Sequence, residues 1–125
     1  MKVLADTHTL VWALSSPEML SARARKLLEE SEVIVSVASL WELLLKKDRP
    51  DALLTDPLRW WQEYVDGPDI AILGIRHSHV MQIGRLPEIH RDPFDRILVA
   101  QAAIERMTIV SKDQLLARYG VRVVW

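Results

Sequence analysis

Five short apolar runs, the last interrupted by Arg122, alternate with stretches of helical character along this chain, and that alternation restricts the fold more than any other feature. The runs are Val3-Leu4-Ala5, Val33-Ile34-Val35, Ile70-Ala71-Ile72-Leu73, Thr108-Ile109-Val110 and Val121 to Val124. Continuous rather than alternating apolar runs belong to strands covered on both faces, as in parallel sheets. A helix is expected from His8 to Leu14, with Thr7 as its cap, and an amphipathic one from Ser21 to Glu30 carrying Ala22, Ala24, Leu27 and Leu28. After Ser36 a helix carries Leu40, Trp41, Leu43, Leu44 and Leu45, and Arg49-Pro50-Asp51 breaks it. Asp56-Pro57 and Asp92-Pro93 both place a capping acid before a proline suited to a first helical turn. The first opens a helix through Trp60, Trp61 and Tyr64, and the second a nearly all-apolar helix from Asp95 to Arg106. Further helical segments are expected at Arg76 to Leu86 and Gln114 to Tyr119. Such alternation predicts one α/β domain over residues 1–125 around a central parallel sheet.

Composition removes several classes of function. With 125 residues and 50% hydrophobic content the chain has enough apolar mass for a core, and it has no cysteine for a disulfide, iron–sulfur cluster or thiolate zinc site. Sixteen basic residues against seventeen acidic ones leave a net charge of -1, so any contact with nucleic acid depends on local Lys and Arg placement. The start, Met1-Lys2-Val3-Leu4-Ala5-Asp6, reads as neither a signal nor a transit peptide, and no apolar run is long enough for a bilayer. A cytoplasmic protein with no membrane association is the expectation.

Four carboxylates stand where a surface acid is unusual. Asp6 follows the first run, Glu42 lies in the apolar stretch Ser39-Leu40-Trp41-Glu42-Leu43-Leu44-Leu45, Asp95 begins the most hydrophobic helix, and Asp113 follows the fourth run. Asp6 and Asp113 thus fall at the carboxyl ends of strands, where open α/β sheets bind ligands. If those strands are neighbours, the four acids could meet in one crevice. Clustered carboxylates repel one another unless protons or cations intervene, and hard oxygen ligands suit Mg²⁺ or Mn²⁺. Each acid also fits a purely structural role: Asp6, Asp92, Asp95 and Asp113 can cap or complement helix starts. Glu42 resists that reading, because a lone buried glutamate is costly. Arg91, Arg96, Lys46 and Lys112 flank the acids and could hold phosphates or simply be solvated. His8, and His77 with His79 on a possible strand face, fit surface or hydrogen-bonded roles. Trp12, Trp60 and Trp61 suggest base stacking, but tryptophans at helical spacing are more often core; with the early helices they also supply more apolar surface than a chain of this size readily hides, which points to interfaces.

The segments Leu4-Ala5-Asp6-Thr7-His8-Thr9-Leu10-Val11-Trp12, Ser36-Val37-Ala38-Ser39-Leu40-Trp41-Glu42 and Thr108-Ile109-Val110-Ser111-Lys112-Asp113 resemble those of PIN-domain ribonucleases of the VapC toxin type. So does His90-Arg91-Asp92-Pro93-Phe94-Asp95-Arg96-Ile97-Leu98-Val99-Ala100-Gln101-Ala102, the strongest of the matches, and the resemblance keeps order and spacing over the full chain. It implies a three-layer α/β/α fold with a parallel sheet of four to five strands, the first and fourth adjacent. It implies an endoribonuclease dependent on Mg²⁺ or Mn²⁺, a cognate antitoxin protein as partner, and a homodimer. Asp6 and Asp95 match the metal-binding acids, Glu42 and Asp113 complete the catalytic quartet, and Ser111 and Asp92 match supporting positions. Where many relatives carry a glycine-containing turn after Lys46, this chain has Lys47-Asp48-Arg49-Pro50. Two other classes fit the acids: a phosphatase forming an aspartyl-phosphate on Asp6, with His8 in place of that pattern's second acid, or a non-catalytic metal- or RNA-binding module.

Overall fold

Strand β1 (Lys2–Ala5) takes the middle of the sheet because Val3, Leu4 and Ala5 are apolar toward both faces, and all three are buried. The computed structural model describes all 125 residues. On one side β1 pairs in parallel with β2 (Glu32–Ser36), Leu4 opposite Ile34. On the other it pairs with β4 (Thr108–Val110), Leu4 opposite Ile109. Strand β3 (Ala71–Leu73) adds outside β2, and β5 (Val123–Val124) outside β4, completing the parallel order β3-β2-β1-β4-β5.

Side-chain alternation divides the strands between two helical layers. Leu4, Ile34 and Ile109 face helix α6 (Pro93–Glu105), meeting Leu98, Val99 and Ala102. Ala5 and Val35 face the opposite layer, where Leu10 and Val11 of α1 (Thr7–Ser15), Leu43 of α3 (Val37–Leu45) and Trp60 and Trp61 of α4 (Pro57–Trp61) close the core. Val3 and Val110 meet Ala24 of α2 (Ala22–Glu30), and α5 (His77–Ile83) packs along α6. The result is a three-layer α/β/α fold, and none of its helices is long and apolar enough to cross a membrane.

The two Asp-Pro signals act as read. Asp56 accepts from the Arg59 amide at 3.3 Å and Asp92 from the Phe94 amide at 2.8 Å, with Pro57 and Pro93 in the first turns. Helix α1 differs from expectation by one residue. Asp6, not Thr7, is its cap, accepting from the Thr9 amide at 2.9 Å, while the Thr7 hydroxyl turns inward to donate to Ser39 Oγ at 3.0 Å. His77 and His79 lie on α5 rather than a strand, and His79 is wholly buried. Trp60 and Trp61 are core residues, only 8% and 3% exposed, so they contribute no interface; the exposed tryptophan is Trp41, at 55%.

Candidate active site

The chain leaves β1 to build β2 and β3 on one side, then returns to build β4 and β5 on the other. Such a reversal opens a crevice at the carboxyl ends of the two central strands. Asp6 stands at the end of β1 and Ser111 and Asp113 just past β4. Both Asp6 oxygens are engaged: Oδ1 accepts from the Thr9 amide, and Oδ2 accepts from the buried Ser111 hydroxyl. The same Ser111 oxygen accepts from the Asp113 amide at 3.0 Å. One hydroxyl thereby ties the ends of β1 and β4 together, reinforced by the Thr9 hydroxyl donating to the Val110 carbonyl at 2.9 Å.

Glu42 enters from α3 and is 8% exposed among Leu43 and its apolar neighbours. A carboxylate so placed needs a cation, and Lys46 supplies it one helical turn later, with Nζ 2.6 Å from Glu42 Oε2. The same ammonium lies 2.9 Å from Asp92 Oδ2, which joins α3 to the start of α6. Burial pulls the Lys46 pKa down, but its hydrogen bonds to Glu42 and Asp92 outweigh that and leave it raised. Burial pushes Asp92 up, and the bonds from Lys46 and the Phe94 amide more than reverse the effect, leaving it lowered.

Asp95, in the first turn of α6, has no such partner. Burial is the main reason its carboxyl is pushed up to about 6; the charges of Asp92, Glu42 and Asp6 add to the rise, and His90 partly offsets it. That response brings Asp6, Glu42 and Asp95, with Asp92, into one electrostatic neighbourhood, and Asp113 joins Asp95 by geometry, their carboxylate oxygens lying within 4.8 Å. Asp113 accepts from the Leu115 amide at 3.1 Å, capping a 3-10 turn (Gln114–Tyr119), and its Oδ2 lies 2.8 Å from His90 Nε2. Capping and membership of the cleft therefore coexist in Asp6, Asp92 and Asp113.

Reading the chain residue by residue missed two members of this cleft. Lys46 was taken only as a flanking cation, whereas it is the counter-charge of Glu42 and Asp92. His90 was passed over altogether, although it stands two residues before Asp92 in the most distinctive stretch of the chain. Its partners Asp113 and Tyr119 are 23 and 29 residues away, beyond any local pattern. Arg96, by contrast, is bound elsewhere, donating to the carbonyls of Pro87 at 2.8 Å and Ile83 at 3.2 Å. Lys112 borders the Asp6–Asp113 side of the cleft together with His8 and Trp12.

The donor set suits a divalent cation. A ring nitrogen of His90 and carboxylate oxygens of Asp95 and Asp113 lie within 4.8 Å of one another, and the elevated Asp95 pKa marks negative charge that Lys46 does not neutralise.

A parallel sheet with strand-end acids drawn from β1, α3, α6 and the turn after β4 defines a class of α/β proteins with an acidic cleft. The PIN domain family model matches residues 3–121, and the chain belongs to that family. Among solved structures, VapBC from Salmonella typhimurium bound to DNA superposes with a TM-score of 0.73 at 15% identity, covering 99% of this chain and 97% of that one. VapBC2 from Rickettsia felis, bound to a DNA fragment from its promoter, gives 0.70 at 14% identity, with 99% and 98% covered. FitAcB from Neisseria gonorrhoeae gives 0.65 at 20% identity, with 100% and 97% covered. These likenesses establish the fold. No curated protein matches the sequence.

Proposed function

We propose that this protein is a divalent-cation-dependent endoribonuclease, a hydrolase of RNA phosphodiester bonds, that serves as the toxin of a toxin–antitoxin pair in the cytoplasm. The observation that carries the chemistry is the convergence of Asp6, Glu42, Asp95 and Asp113 on one crevice in a chain of the PIN family, with Asp95 pushed up to about 6, chiefly by burial and further by its acidic neighbours. The toxin reading draws on the superposed VapBC and FitAcB structures, whose overall length and fold this chain shares.

Asp6 and Asp95 are the residues we assign to hold the cation, Mg²⁺ or Mn²⁺, with Asp113 and Glu42 completing the catalytic set. When bound, such a cation lowers the pKa of water and neutralises charge developing on a phosphate. The protein supplies orientation and charge balance. Ser111 and the Thr9 amide hold the Asp6 carboxylate still. Lys46 keeps Glu42 and Asp92 paired, so the unbalanced charge is concentrated at Asp95. Lys112, exposed beside Asp6 and Asp113, is placed to meet a substrate phosphate.

For partners we assign a cognate antitoxin and a second copy of this chain. An apolar cavity of about 440 Å³, lined by Leu10, Leu14, Leu28, Val33 and Ile70 with Glu32 and Asp69 at its polar end, offers an antitoxin segment a seat. Exposed Trp41 and Leu45 on α3 offer apolar surface to a second protomer.

The deciding test is digestion of total cellular RNA by the purified protein with Mg²⁺ or Mn²⁺, against EDTA, followed by mapping of the ends. Cleavage should need the cation, leave 5′-phosphate and 3′-hydroxyl ends, and disappear in Asp6→Asn. Full activity in EDTA, or cyclic 2′,3′-phosphate products, would refute it.

A further inference from the structure

His90 stands with Asp95 and Asp113 in the cleft, whose other imidazole, His8, lies on the Asp6 side, and its surroundings are those of a ligand. Its Nε2 lies 2.8 Å from Asp113 Oδ2, and the imidazole nitrogen, Asp95 and Asp113 present donor atoms within 4.8 Å of one another. The far side of the ring is held by a single group. The Tyr119 hydroxyl oxygen is 3.1 Å from His90 Nδ1 and 2.7 Å from the His90 backbone nitrogen, and the two rings stack with centroids 5.5 Å apart at 28°.

That hydroxyl serves either neutral tautomer. With the proton on Nε2, the imidazole donates to Asp113 and the tyrosine hydroxyl donates to Nδ1. With the proton on Nδ1, the tyrosine oxygen accepts from both Nδ1–H and the backbone N–H on its two lone pairs. Nε2 then presents a bare lone pair toward Asp113 and Asp95. The second arrangement is that of metal-binding histidines, whose remaining ring N–H is fixed by an outer partner. Moving between the two relocates one proton within a neutral ring and changes no net charge.

We propose that His90 is a nitrogen ligand, through Nε2, to a divalent cation shared with Asp95 and Asp113, and that this ligand makes the cleft select Mn²⁺ over Mg²⁺. The proposal rests on the reading above that the cleft holds a divalent cation, and it adds a ligand outside the acidic quartet. Mg²⁺ takes hard oxygen donors and sheds water reluctantly, whereas imidazole suits first-row transition ions, so a nitrogen ligand sets Mn²⁺ apart from Mg²⁺ even though Mn²⁺ is the weakest binder of that series.

Pulsed electron paramagnetic resonance on the full chain loaded with one equivalent of Mn²⁺ tests this directly. Wild type should show ¹⁴N modulation from a coordinated imidazole. In His90→Gln the modulation should vanish, and Mn²⁺ should bind about ten- to a hundredfold more weakly while Mg²⁺ affinity changes little. Tyr119→Phe, which keeps the stacked ring, should retain the modulation and lose several-fold in Mn²⁺ affinity, giving a second measurement should His90→Gln not fold. Mn²⁺ bound to wild type without ¹⁴N modulation, or modulation that survives in folded His90→Gln, overturns the His90 assignment and leaves the cation cleft standing. No Mn²⁺ binding by wild type overturns the cation reading itself, and the ligand with it.

Discussion

At the scale of single residues, Lys46 shows how a PIN cleft can carry part of its own counter-charge. Its ammonium lies 2.6 Å from Glu42 and 2.9 Å from Asp92, with side chains 26%, 11% and 34% exposed respectively. Removing it leaves two half-sheltered carboxylates unpaired. Lys46→Met should therefore cost about 1–2 kcal/mol in urea denaturation under EDTA, below the value for a fully buried pair because water reaches all three groups. Added Mn²⁺ should raise the melting temperature of the variant more than that of wild type; equal stability in EDTA would show that the bridge contributes nothing. Asp95 runs the other way. With its carboxyl at about 6 against an ordinary 3.8, the folded protein binds that proton more tightly than the unfolded chain. Stability from this group is thus complete below the ordinary value and is lost as pH rises through 6. Cation-free wild type should gain stability relative to Asp95→Asn as pH falls from about 7 to about 5. At neutral pH Asp95→Asn should be the more stable by about 1 kcal/mol, a figure already reduced for solvent screening. A parallel pH dependence in the two proteins, followed by thermal melts, would remove Asp95 as its source.

At the scale of elements, α6 organises both the core and the cleft. It opens with Asp92 and Asp95, carries Leu98, Val99 and Ala102 to the sheet, and buries Gln101, whose side chain accepts from Ser36 Oγ at 2.6 Å and donates to the Gly74 carbonyl at 3.2 Å. The helix ends on Arg106 in the left-handed region, at φ 55° and ψ 51°. Glycine takes that conformation without a Cβ penalty, so Arg106→Gly should stabilise the protein by about 0.5–1 kcal/mol, read from denaturant midpoints with an unchanged slope. An unaltered or lowered midpoint would mean the arginine's interaction with the helix end offsets the strain. The start of α6 was legible from Asp92-Pro93 alone, as were β1, β2 and β4 from their continuous apolar runs, because caps and two-sided burial leave local marks. The inward turn of Thr7 and the pairing of Lys46 with Asp92 were not. Each depends on a contact with a distant segment, and no periodicity records which helix a side chain will meet. The acids of the cleft were visible because carboxylates at strand ends and inside apolar helices are locally anomalous; His90 was not, since a histidine among Arg91 and Asp92 breaks no local rule.

At the scale of the whole molecule, the two faces of α3 serve different purposes. Its inner side delivers Glu42 to the cleft, while Trp41 and Leu45, 55% and 61% exposed and one turn apart, face outward. If that surface joins two protomers, Leu45→Arg should convert a dimer to a monomer in sedimentation at concentrations on the order of micromolar, with little change in monomer stability because the side chain is mostly exposed. A wild-type protein that sediments only as monomer would refute the interface. The deepest consequence lies in the bond between Ser111 and Asp6, which spans 105 residues of chain. Asp6 precedes its partner by that whole length, so neither β4 nor the hydroxyl that steadies the carboxylate exists until translation has passed position 111. A chain that stops short of position 111 therefore lacks both the hydroxyl that steadies Asp6 and the Asp113 carboxylate beyond it, so the cleft belongs to the finished pairing of β1 with β4 and to no earlier part of the chain.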